Sequence, residues 1–252
     1  MISSTLIQAL DLPASSRVDQ RVPKKLLLEN GAPTAADKRH IREGVEELLW
    51  LAVLKSTTIG VPEYRSAEKE YLEVAVLRLT LRAAAKLQRL VELVHRAVPY
   101  PVLLVTDQGE CPGLSAVHKR WSLGEAGKTV LEGEVVTLEW NASQDSPYEL
   151  AFQAAMALNQ QPRTSLQALY QGWLDTLLAL QAARLTGTFA APTTAEHASH
   201  RREALQEYAR LEAETTRLCA AAVKEKQITR RVELNLELKR VAAAQAAARA
   251  NL

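Results

Sequence analysis

Apolar residues are spaced differently in the two halves of the chain. After Thr34-Ala35-Ala36-Asp37, where a side-chain acceptor precedes a first-turn carboxylate, Ile41, Val45, Leu48, Leu49, Ala52 and Val53 recur at helical intervals. This spacing predicts a helix to about Leu54. Tyr71 to Leu81 is apolar on both parities through its middle and predicts a strand covered on both faces. A helix follows over Ala83 to Ala97, with Leu87, Leu90, Val91 and Val94 on one side and Pro99 and Pro101 to end it. Val102 to Val105, Leu114 to Trp121 and Thr129 to Trp140 read as three further strands, separated by the turn Asp107-Gln108-Gly109-Glu110 and a loop over Gly124 to Gly127. Ser15 to Gly31 has neither period and reads as an extended arm packed on the domain. The element order predicts an α+β domain, a mainly antiparallel sheet with helices on one face, over residues 1–142.

Beyond Asn141 glycine becomes scarce and only helical periods remain, which predicts an all-α domain over 143–252. Pro147 to Asn159 is a short candidate helix. Pro162 restarts the chain into a second, with Leu166, Leu169, Tyr170, Trp173, Leu174, Leu177 and Leu180 as a broad apolar stripe and Gly187 and Pro192 as stop signals. Thr194 to Ala250 is too long for an ordinary globular helix and is read as one extended helix or a hairpin broken near Cys219 to Val223. Leu205, Tyr208, Leu211, Leu218, Ala222, Ile228, Val232, Leu236 and Val241 follow an irregular heptad-like course along it, which fits a helical hairpin or coiled-coil arm and a homo-oligomer through these helices. The Ala-rich end has strong helix propensity and little bulk to bury.

Composition narrows the function classes. With 47% hydrophobic residues the 252-residue chain has enough apolar mass for a sizeable core. No apolar run is long enough to cross a bilayer, and Met1 to Leu12 lacks the basic region and cleavage site of a secretory signal, so a cytoplasmic location is expected. Cys111 and Cys219 stand apart and are expected as buried thiols. The net charge of +2 leaves nucleic-acid binding to local patches.

Candidate chemistry is sparse. None of the ten glycines builds a phosphate-binding loop, which speaks against ATP hydrolysis or a nicotinamide cofactor, and no cofactor is expected. His197 and His200 stand three apart but have no third ligand fixed beside them, so no metal site is assigned. A metal-dependent nuclease needs an acid-x-Lys on one strand after a carboxylate on another; Asp107 and Lys119 are present, but Val117 takes the acid's place, and Glu73 reads more readily as a salt-bridge residue. No nucleophile motif is present. Three basic clusters remain as candidates for contact with nucleic acid or a partner: Lys24 and Lys25 beside Arg21 on the arm; His118, Lys119, Arg120 and Trp121 at a strand end; and Lys224, Lys226, Arg230 and Arg231 on the long helical stretch. The competing reading makes the helical cluster a solvated face paired with Glu225, Glu233 and Glu237.

Several segments together resemble a known bacterial family. Pro23-Lys24, Leu49-Trp50, the strand Tyr71 to Leu81, Ala97-Val98-Pro99-Tyr100-Pro101, Ser115-Ala116-Val117-His118-Lys119-Arg120, Lys224-Glu225-Lys226-Gln227 and Val232-Glu233-Leu234-Asn235 are similar to the family called domain of unknown function 4391. Its members are encoded beside helicases and DNA methyltransferases of restriction or phage-defence type. The resemblance implies a non-enzymatic accessory subunit of such a DNA-targeting complex, with a helicase or methyltransferase as partner. An unrecognised nuclease built on Glu73, Asp107 and Lys119, and a structural oligomer or scaffold, are the alternatives.

Overall fold

The computed structural model describes residues 2–109, 111–125, 127–140, 147–191 and 193–252. In chain order the elements are α1 (Ile2–Ala9), β1 (Arg17–Arg21), α2 (Lys24–Asn30), α3 (Ala35–Gly44), β2 (Val45–Lys55), α4 (Ser56–Ile59), β3 (Tyr64–Arg65), β4 (Glu70–Tyr71), β5 (Glu73–Leu81), α5 (Leu87–Ala97), β6 (Val102–Gln108), β7 (Cys111–Trp121), β8 (Thr129–Glu139), α6 (Pro147–Met156), α7 (Leu166–Thr186), α8 (Ala195–Lys224) and α9 (Ile228–Ala250). Two compact units result, Met1–Leu177 and Leu178–Leu252, with the boundary inside α7. Residues 147–177 therefore belong to the sheet unit, although strands end before them.

The first unit is built on a six-stranded sheet of order β1-β2-β5-β6-β7-β8, with a small β3-β4 ribbon beside it in sequence. Only β5 and β6 run parallel, joined by the crossover helix α5; every other pairing is antiparallel. The α+β expectation and its mainly antiparallel sheet are thus what forms. The helices, however, stand on both faces. On one, α2, α3 and α5 enclose a core of Leu27, Ile41, Leu48, Leu77, Leu90, Val94 and Leu104. On the other, α1 contacts β6, β7 and α6, and the first turns of α7 reach the sheet through Tyr170. The sheet's central strands are apolar on both parities and need cover on each side.

The predicted helix over Thr34 to Leu54 is half right. The Thr34 hydroxyl caps α3 by accepting from the Asp37 amide at 3.1 Å, and the helix ends at Gly44. A Cβ on Gly44 would lie 2.7 Å from the tip of the Leu90 side chain, so any larger residue here would push Leu90 of α5 aside. From Val45 the chain is strand β2, hydrogen-bonded between β1 and β5. A β-bulge between Val45 and Glu47 turns Val45 and Leu48, three residues apart, into the same core cluster, and a second lies between Trp50 and Ala52. A twice-bulged strand thereby imitates helical spacing. The supposed extended arm carries edge strand β1 and helix α2, because Val22 N–H pairs with Leu48 carbonyl and Leu27 enters the core.

In the second unit the long helical stretch is a hairpin, α8 packed on α9. The Thr194 hydroxyl caps α8, accepting from the His197 amide at 3.2 Å. The break falls at residues 225–227, just past the expected Cys219 to Val223, where the Glu225 carboxylate accepts from the Gln227 amide at 2.8 Å. Leu211, Leu218, Leu234 and Ala248 are the buried residues of the two helices' seam, with Ala198 near the start of α8. Cys219 is exposed, not buried: Leu218, one step round the helix, takes the inward position. The Cys111 side chain, and the predicted signals Glu110 and Pro192, lie outside the described residues. No described helix is long and apolar enough to cross a membrane.

Candidate functional site

Strand β7 alternates its side chains between faces, and this divides the predicted cluster His118 to Trp121. Lys119 points under α5, where it is only 4% exposed and its ammonium donates to the carbonyls of His95, at 2.6 Å, and Val98. Those carbonyls end α5, so the cation sits where the helix dipole is negative. Burial pushes the Lys119 ammonium down to about 7. His95 beside it is fully buried; its Nε2 pairs with the Ser115 hydroxyl at 2.9 Å while Nδ1 has no partner among the described residues. Burial, and then the neighbouring Lys119 charge, bring its imidazole down to about 3. Lys119 is a helix-capping cation of the core, with no access to a phosphate.

His118 faces the opposite side and is held at both ring nitrogens. Tyr71 hydroxyl donates to Nδ1 at 2.5 Å, and Nε2 donates to Gln171 Oε1 at 2.7 Å, because Gln171 turns its Nε2 to Asp175 Oδ1 at 2.8 Å. These bonds tie β4 and β7 to α7. Tyr170 stacks edge-on to His118, and its hydroxyl accepts from Val117 N–H at 2.9 Å and donates to Val102 carbonyl at 2.7 Å. Burial drives both tyrosine phenols well above their ordinary range. Tyr71, Tyr170 and Gln171 escape a sequence search because each reads as an ordinary member of an apolar or helical run. Arg120 and Trp121 are half-buried, and the Arg120 guanidinium donates to the Trp121 carbonyl at 3.1 Å.

The other candidates separate in the same way. Lys24 donates to Val45 carbonyl at 2.5 Å and closes α3, while Lys25 and Arg21 are exposed and pair with Glu29 and Glu47. Glu73 is ion-paired with Lys55 at 2.7 Å. Asp107 lies opposite Pro112 at the turn of the β6-β7 hairpin; Lys119, seven residues on, is roughly 20 Å further along the strand. Glu73, Asp107 and Lys119 are therefore not brought together. Among the described residues no group of three or more His, Cys, Asp or Glu side chains is placed to hold a metal ion.

With the sheet, its capped helices and the terminal hairpin in place, comparison with protein families is decisive on one point: the family described as Domain of unknown function (DUF4391) matches residues 10–244. The chain belongs to this family. No curated protein and no solved structure matches it.

The helical cluster of this DUF4391 chain lies open to solvent. At the hairpin turn, Val223 is 87% and Ile228 71% exposed. Between and beside them Lys224, Lys226 and Arg231 are exposed and have neither an ion pair nor a side-chain hydrogen bond among the described residues, whereas Arg230 is paired with Glu233 at 2.6 Å. Large aliphatic side chains beside unneutralised cations form a surface able to bury apolar groups and attract anions together.

Proposed function

We propose that this protein is a non-enzymatic accessory subunit of a bacterial DNA-targeting defence complex, docking through the α8–α9 turn onto an acidic, apolar-centred surface of its helicase or methyltransferase partner. One observation carries the reading: Val223 and Ile228 stand almost fully in solvent around the unpaired Lys224, Lys226 and Arg231. Exposed aliphatics of this size cost free energy in water unless a partner covers them. The complex itself is what the family resemblance implies. In support of a non-enzymatic role, Lys119 is taken up in capping α5 and Glu73 in an ion pair with Lys55, and Glu73, Asp107 and Lys119 stand apart. The free cations also fit phosphate, which makes direct nucleic-acid contact at the same turn a second reading.

The test is co-expression with the products of its neighbouring genes, followed by affinity purification, identification of any helicase or methyltransferase retained, and sizing. The expected result is a stable complex that is lost in Lys224→Glu/Lys226→Glu/Arg231→Glu while the circular dichroism of the chain is unchanged. A chain that runs without either protein overturns the reading. Binding to duplex DNA alone, steeply weakened by salt, would move the assignment to the second.

A further inference from the structure

We propose that the solvent-facing side of α9 is self-complementary, and that a second copy of this chain packs its own α9 against it, antiparallel, about a two-fold axis beside Leu236. This contact shares Ile228 with the docking assigned to the hairpin turn and otherwise uses the body of α9, from Val232 onward.

The helix repeat places Ile228, Val232 and Leu236 in one row. They are 71%, 52% and 53% exposed, while Leu234 and Ala248 are buried on another side of the helix. The same row continues through Lys239, Ala243, Ala246 and Ala250, all exposed. Bulk is thus divided along the row, with large aliphatic groups in its N-terminal half and methyl groups in its C-terminal half. A parallel copy would set large against large and leave the alanines facing a gap. An antiparallel copy sets Val232 beside the Lys239 stem and Ala243, and Ile228 beside Ala243 and Ala246, so that protrusions meet recesses.

Charge selects the register. Glu233 and Arg240 lie on the same flank of the row, and in a two-fold antiparallel pair equivalent flanks face each other. When Leu236 packs beside Leu236 of the second copy, Glu233 of each chain comes level with Arg240 of the other, which makes two reciprocal ion pairs. Arg240 has no ion pair among the described residues, and Glu233, although bonded to Arg230, remains 56% exposed and able to accept a second donor. Both the size pattern and the charge pattern therefore point to a copy of α9 itself. The 23-residue helix is about 34 Å long, so the contact is at the small end of specific interfaces and the dimer depends on concentration.

Sedimentation velocity of the full chain over a concentration series reaching the millimolar range tests this. A monomer–dimer equilibrium is expected, weakened at least about tenfold by Leu236→Glu, by Glu233→Arg and by Arg240→Glu. In the double exchange Glu233→Arg/Arg240→Glu both reciprocal pairs are rebuilt with reversed sign, and dimerisation should return. Because these side chains are solvent-exposed, thermal unfolding of each variant should match the parent and exclude misfolding as the cause. A chain that stays monomeric throughout, or a dimer indifferent to Leu236→Glu, overturns the proposal. So does a double exchange that fails to rescue, which would leave an acidic or apolar helix of another protein as the occupant of this face.

Discussion

Lys119 makes the sheet unit's stability depend on pH in a range where few other groups act. Its ammonium is enclosed under the C-terminal end of α5, with two carbonyl acceptors and burial that brings it down to about 7 from 10.5. In the unfolded chain the amine keeps its ordinary affinity for protons. Between about pH 7 and 10 the unfolded state therefore binds more protons than the folded one, and stability must rise with pH across that window and level off below it. The full difference corresponds to roughly 5 kcal/mol, as an upper value for so buried a group. Lys119→Met keeps the volume, removes the titrating group and leaves the His95 and Val98 carbonyls without their donor, at a cost of about 1–3 kcal/mol. Urea unfolding of both proteins from pH 6 to about 9, short of most tyrosine ionisation in the unfolded chain, is the assay. The parent should gain several kcal/mol over the window and the methionine variant should be flat, so that the variant is closest to the parent near pH 7 and falls behind as pH rises. Parallel curves would refute the desolvated ammonium.

Two further outcomes follow from buried polar contacts. Tyr170→Phe removes the hydroxyl that serves Val117 N–H and Val102 carbonyl and should cost about 1–3 kcal/mol in urea unfolding at pH 7; a loss below about 0.5 kcal/mol would mean that these backbone groups find other partners. Asp37, held far below the usual carboxylate range by the Arg89 guanidinium at 2.8 Å and the Thr34 hydroxyl, contributes stability that is present above its unfolded value and is lost as pH falls through the depressed one. Arg89→Leu should accordingly lower the midpoint of thermal unfolding at pH 7 and shift acid unfolding to higher pH, and an unchanged acid midpoint would count against the pair.

How far the fold is legible in the amino-acid pattern depends on what competes for each segment. β6, β7 and β8 are readable because their apolar runs are flanked by Pro or Gly, β5 because its run is apolar on both parities, and α8 and α9 because no strand signal interrupts them. β2 is not, since its bulges give Val45 and Leu48 a helical interval, and only pairing between β1 and β5 decides the matter. Edge strand β1 is short and mostly exposed, with a bulge of its own, so it lacks the alternation that marks a strand. At the candidate site the identity of the basic residues is legible and their direction is not. His118, Lys119 and Arg120 look like one cluster until the pleat sends Lys119 under α5 and His118 toward α7.

That division also bears on where function resides. A cation drawn into the core to cap α5 and a histidine held at both nitrogens between strand and helix are fixed by many contacts, and a change in either is paid for in stability. The α8–α9 hairpin has the opposite character. Its buried seam is narrow, some of its charged side chains pair at helical spacings with their neighbours, as Arg210 with Glu207 and Arg217 with Glu214, and Val223, Ile228, Val232 and Leu236 face water. Substitutions of Val223, Lys224, Ile228 or Leu236 can therefore alter association while leaving the fold intact. The two kinds of residue separate by experiment: variants under α5 or against α7 should move unfolding midpoints and leave complex formation intact at temperatures where the chain is folded, and hairpin variants should do the reverse.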